Sequence, residues 1–150
     1  MPVNLQGLED NARKTAISEL QACMSDGLSL SLALKQAHWN LKGPNFIAVH
    51  ELLDGVKTRL DPNIDDMAER IQQLDGTAEE VARSTSLPPC PTGLTAAEDH
   101  LREVADRLRA HGARVRSAID AVDEAGDADN VTAASRQADK DLWFIEAHRG

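Results

Sequence analysis

Five side chains able to hold a metal ion fall within 32 residues: His38, His50, Asp54, Asp65 and Glu69. On a helix His50 and Asp54, four positions apart, share a face, and Asp65 and Glu69 repeat that geometry. Eleven residues, close to three turns, separate Asp54 from Asp65, so the four lie along nearly one stripe. At about 1.5 Å per residue, however, the two pairs stand roughly 22 Å apart along the axis. No single centre can use both from one chain. A second copy, antiparallel across a two-fold axis, would set His50 and Asp54 of one subunit against Asp65 and Glu69 of the other. Isologous symmetry would then build two equivalent sites per dimer. Taken singly, each pair has an ordinary reading. An i,i+4 His–Asp pair is common on solvated helices, Asp65 and Glu69 could be surface charge with Arg70 as a salt-bridge partner, and His38 could be a satisfied core histidine. The five together carry the metal reading.

Such a site needs long helices, and the apolar pattern supplies them. A first helix is expected from about Leu8 to Asn40, with Ile17, Leu20, Met24 and Leu34 in a heptad-like stripe and small Gly27 and Ser31 on the same line. His38 continues that stripe. Gly43-Pro44 makes a short turn. A second helix follows from about Asn45 to Leu74, carrying Val49, Leu53, Val56, Leu60, Ile64, Met67, Ile71 and Leu74 inward. A third starts at Thr95, where Thr95-Ala-Ala-Glu98 reads as a capping box, and buries Leu101, Val104, Leu108, Val115, Ile119 and Val122. After the turn at Ala125-Gly126-Asp127 a fourth helix runs to about Ala147. Two short turns make two antiparallel hairpins. The stretch from Asp75 to Leu94 is too long for a turn and suits a crossover along the bundle, with a small helix over 77–83. The expected fold is all-α: a ferritin-like four-helix bundle with a long crossover between its second and third helices. One domain spans 1–150, with 1–7 a short tail.

Bulk properties narrow the function. A chain of 150 residues can bury a core of its own. Its longest apolar run falls short of a membrane span, and its first residues lack the basic flank and apolar stretch of a secretory signal. Cys23, in a helical pattern, and Cys90, in a proline-rich loop, are too few for a disulfide framework, so a reducing, cytoplasmic setting is expected. A net charge of −9 argues against general affinity for nucleic acid and suits an assembly that collects cations. No Glu is followed three positions later by His, so the Glu-x-x-His pairs of an intrachain di-iron bundle are lacking.

The residues HWN (38–40), the Gly43 turn, NF (45–46), VH (49–50), LLD (52–54) and DDMAER (65–70), with TAASRQADKDLWFIE (132–146), resemble the mini-ferritins called Dps, DNA-binding proteins from starved cells. The resemblance covers the chain from about Lys35 onward and extends more loosely over the first helix. It implies twelve copies closed into a hollow shell, with ferroxidase centres between two-fold-related subunits. His38, His50 and Asp54 would come from one subunit, and Asp65 and Glu69 from its partner. The substrate and cargo would be iron, since imidazoles and carboxylates suit Fe²⁺ and carboxylates hold the harder Fe³⁺. Hydrogen peroxide or dioxygen would be the oxidant, and the ferric product would be stored as mineral. Trp39, beside His38, is a candidate electron sink, with simple packing as its ordinary role. His100, His111 and His148 have no comparable constellation.

Two departures from the family pattern bear on these expectations. Pro62 falls inside the second helix, between the ligand pairs, where the missing amide predicts a kink. The residues before the first helix contain no Lys or Arg, unlike the lysine-rich tails with which some members hold DNA. Twelve copies would carry about −108 charges, which opposes the phosphate backbone. The expectation is therefore no duplex binding and chemical protection of DNA; the alternative is a nucleoid-associated protein whose iron chemistry is secondary. The acidic turn with Asp123, Glu124, Asp127 and Asp129 is the candidate iron-entry pore at a three-fold axis. Asp127 or Asp129 could equally serve only as a cap for the last helix.

Overall fold

The computed structural model describes residues 7–80 and 90–149. Among these residues four α-helices position everything that follows: α1 (Asp10–Asn40), α2 (Phe46–Gln73), α3 (Ala97–Ala118) and α4 (Ala128–Ala147), with one 3-10 turn at Asp123–Ala125. Each buries residues at three- and four-residue intervals. On α1 these include Ala12, Ala16, Leu20, Cys23, Gly27, Leu30, Leu34 and Ala37. On α2 they are Val49, Leu53, Val56, Leu60, Ile64, Met67 and Ile71, the expected stripe. One hydrophobic cluster joins all four helices. Around the bundle α1 neighbours α2 and α3, while α4 neighbours α3 and α2. Gly27 is what lets the centre close. A Cβ there would come within 2.9 Å of Ile64 Cγ1 and 3.4 Å of His111 Cε1.

Hairpin ends show which way the chain runs. The guanidinium of Arg13, in the first turns of α1, donates to the carbonyl of Leu74 at the end of α2, at 3.2 Å. That end is closed by a Schellman arrangement. Asp75 takes a left-handed conformation (φ 67°), its N–H donates to Gln72 O, and the N–H of Gly76 reaches Ile71 O at 2.9 Å. At the opposite pole Lys42, just after α1, bridges to the start of α3: its N–H donates to Thr95 O at 2.7 Å and its carbonyl accepts from Ala97. The crossover must therefore travel the length of the bundle. Its two described ends both lie against α1, for Gln21 bonds both the N–H and the carbonyl of Glu79, and Gln36 donates to Pro91 O. Those glutamines stand roughly 22 Å apart on α1.

Three local expectations meet the structure here. α3 begins at Ala97 and has no side-chain cap. The N-cap is Ala96, whose methyl side chain cannot accept a hydrogen bond, and Glu98 pairs with Arg149 at 3.0 Å, so the capping box does not form. Helix α2 passes through Pro62 without interruption. Both Pro62 and Thr58, whose carbonyl loses its amide partner, are exposed, so water can satisfy that oxygen. Thr77–Glu80 are not helical; the remainder of the expected crossover helix, 81–83, and positions 1–6 of the tail lie outside the described residues.

Candidate metal centre

The α1–α2 turn brings His38 and His50 together, ring over ring, with centroids 3.5 Å apart and planes 15° from parallel. Phe46 stacks on the far side of His50 at 4.9 Å. The backbone fixes the pair reciprocally. Nδ1 of His38 lies 2.7 Å from the carbonyl of His50, and Nδ1 of His50 lies 2.7 Å from the carbonyl of His38. A carbonyl only accepts, so both protons sit on Nδ1 and both Nε2 atoms keep a lone pair. This is the orienting bond that metal-binding histidines usually make.

Asp54 lies one turn beyond His50, but its carboxylate is engaged elsewhere. Lys35 Nζ donates to Asp54 Oδ1 at 2.6 Å. That hydrogen bond, more than the nearby imidazoles, holds the Asp54 carboxyl below the usual range.

Farther along α2, Asp65, Asp66 and Glu69 offer ligand oxygens that all lie within 4.8 Å of one another, the one such group of three among the described residues. All three are exposed. The negative charge of Asp65, followed by a hydrogen bond with it, pushes the Glu69 carboxyl up. Spacing along α2 keeps this group from His50, as the sequence implied, so the five expected ligands fall into two separate groups. Beside the carboxylates an open groove of about 600 Å³ runs between α1 and α2, walled by Leu28, Leu32 and Ile64 and bordered by Asp65. Leu32 is 72% exposed.

A fold match, a sequence match and the residues coincide here. Residues 17–149 match the ferritin-like domain family. A DNA protection during starvation protein of Agrobacterium fabrum is 49% identical over 148 residues, covering 94% of this chain and 91% of that one. The chain belongs to the Dps branch of the ferritin-like family. Dps of Mycobacterium smegmatis in a tetragonal form superposes with a TM-score of 0.92 at 25% identity, covering 99% of this chain and 93% of that chain. Dps of Microbacterium arborescens in a high-iron form gives 0.86 at 32% identity, covering 93% and 95%.

The remaining expected residues of this Dps-family chain divide. Trp39 is exposed beside His38. Asp123, Glu124 and Asp129 are exposed in the turn before and the first turn of α4. Asp127 is not with them. It is buried, makes no side-chain cap, and its Oδ1 lies 2.6 Å from Arg70 Nε. Burial pushes its carboxyl up and Arg70 opposes that shift. Arg70 also donates to Ala125 O at 2.8 Å, so it ties α2 to this turn and does not pair with Asp65 or Glu69. Sequence reasoning missed Asp66 and Lys35. Both signals were present, since Asp66 adjoins Asp65 and Lys35 precedes His38 by three positions on one helical face.

Proposed function

We propose that this protein is a mini-ferritin that oxidises Fe²⁺ at centres shared between two-fold-related subunits and stores the ferric product inside a hollow dodecamer. The observation that carries the reading is the reciprocal His38–His50 clamp, which engages both Nδ1 atoms and leaves the Nε2 atom of each neutral ring able to ligate. A carboxylate cluster on the same helix, out of reach within the chain, supplies the complementary half. The exposed groove next to Asp65, with Leu32 on its wall, fits the seat of a second copy. Two Fe²⁺ each give one electron to hydrogen peroxide, whose O–O bond breaks as two protons complete two waters. Pairing the electrons avoids release of hydroxyl radical; dioxygen is the alternative oxidant. Trp39, next to His38 in the chain and exposed, is the candidate sink for a stray oxidising equivalent. Removal of Fe²⁺ and peroxide in the cytoplasm is then how DNA is protected. With −9 per chain, duplex binding is not part of the activity, and a metal-independent gel shift at physiological salt would favour the nucleoid-binding alternative.

Mixed shells test the shared centre. Asp54→Ala and Glu69→Ala should each slow Fe²⁺ oxidation strongly in shells that still assemble. A dimer carrying one of each has one intact centre and one lacking both ligands. Reassembled mixtures should therefore oxidise iron faster than either parent, and no recovery sinks the trans-subunit arrangement.

A further inference from the structure

We propose that Lys35 is the resident cation of the imidazole half-site and is exchanged for the incoming metal. The inference rests on reading His38, His50 and Asp54 as ligands. Lys35 and His38 lie three apart on α1, so their side chains leave the same face. The Lys35 ammonium touches Asp54 Oδ1 at 2.6 Å, and both side chains are partly exposed, 30% and 47%, where ions in solution reach them. The second observation is a missing convergence. Although the two imidazoles are stacked and locked, Asp54 does not join them in a group within 4.8 Å, whereas the three carboxylates of the other half do close up.

Lys35 therefore supplies the positive charge that the carboxylate otherwise takes from a metal. An entering dication must part that pair and meets a like charge while doing so. Lysine suits such a role. Its ammonium is a point charge on a flexible four-carbon stem, able to swing into water once Asp54 changes partner. The cost makes the half-site weaker for metal than its three ligands alone would be. It also keeps Asp54 neutralised without metal, so this half carries no uncompensated charge at the interface.

Lys35→Met removes the charge while keeping an apolar stem, and Lys35→Arg keeps the charge. Co²⁺ serves as an air-stable probe, read by its visible absorption and by calorimetry on intact shells. The inference expects Lys35→Met to bind Co²⁺ about fivefold more tightly than the natural protein, the size of one lost exposed ion pair. Lys35→Arg should stay close to the natural affinity. Unchanged affinity in Lys35→Met would mean an ordinary surface pair and overturn the proposal. Weaker affinity would overturn it in the other direction, making Lys35 a brace that holds Asp54 in ligating position. Failure of the parent reading looks different: Co²⁺ binding to the natural protein would then be absent, or indifferent to His50→Ala.

Discussion

The two halves of the proposed centre are prepared in opposite ways. At the α1–α2 turn each imidazole donates through Nδ1 to a backbone carbonyl, the rings stack, and Asp54 holds Lys35. Midway along α2, Asp65, Asp66 and Glu69 crowd together in water with the Glu69 carboxyl pushed up by its neighbour. One half is preorganised by backbone geometry and is stable empty. The other holds like charges together and is relieved only by a cation or a proton. The pair of helix turns around His38 and His50 thus fixes direction, and the carboxylate cluster supplies the affinity for positive charge.

The contrast breaks first at the imidazoles. His50→Ala removes a ligand, a stacking partner and the donor to the His38 carbonyl, so Fe²⁺ oxidation should fall by roughly a hundredfold or more, with a lower melting temperature for the metal-free protein. Glu69→Gln should cost similar activity and do the reverse to stability, because it removes charge from a repelling cluster. Its metal-free melting temperature should be equal to or above that of the natural protein, while the rise on adding Co²⁺ shrinks. Thermal melts of both variants with and without Co²⁺ make the comparison. Two variants that shift the metal-free melt alike would erase the distinction between the halves.

Much of this contrast was legible from spacing. Helical periodicity placed His50 with Asp54, Asp65 with Glu69, and the two pairs far apart, because those facts depend only on rise and turn. The long crossover was equally legible, since a stretch of that length between helices has few places to go. What spacing could not show is where a flexible polar end finds its partner. Lys35 reaching across from α1 to Asp54 is such a case, and so is Arg70 turning from the carboxylate cluster to buried Asp127. The capping box failed for the same reason: the Glu98 side chain pairs with Arg149, distant in sequence, and not with the Thr95 backbone. Pro62 shows the converse. Local chemistry removes one amide from the ladder at Pro62, yet the buried stripe on either side keeps the backbone helical through an exposed proline.

Acid sharpens the comparison, provided loss of metal is separated from loss of fold. His111, 3% exposed, packs near Gly27, its Nδ1 has no partner, and burial pulls its pKa down from 6.5 to about 4 against the pull of Asp26. The unfolded chain takes up that proton first. Stability from this residue is complete above about pH 6.5 and drains away as pH falls toward 4, by roughly 3 kcal/mol in all. His111→Gln cannot take up the proton, so its metal-free stability should fall less steeply across that window. Parallel curves for the two proteins would mean that acid acts elsewhere, and any loss of metal in this range would then belong to the half-sites.

The smallest effect concerns how cations reach the carboxylate half. Asp123, Glu124 and Asp129 are exposed near the start of α4, while Asp127 is sealed against Arg70. If three copies of this turn line an entry pore, the exposed acids concentrate cations there, and the effect must weaken as salt screens them. Asp123→Asn with Asp129→Asn should slow iron uptake by about two- to threefold at low ionic strength and little at 0.15 M salt, where the Debye length is about 8 Å. Its thermal stability should stay near that of the natural protein. Asp127→Asn should behave differently, lowering stability because the partly buried guanidinium of Arg70 loses its counter-charge while the exposed acids remain. Uptake by the double variant that matches the natural protein at every salt concentration would remove the pore from this turn. Uptake slowed equally at low and high salt would mean that the substitutions altered the shape of the passage and not its field.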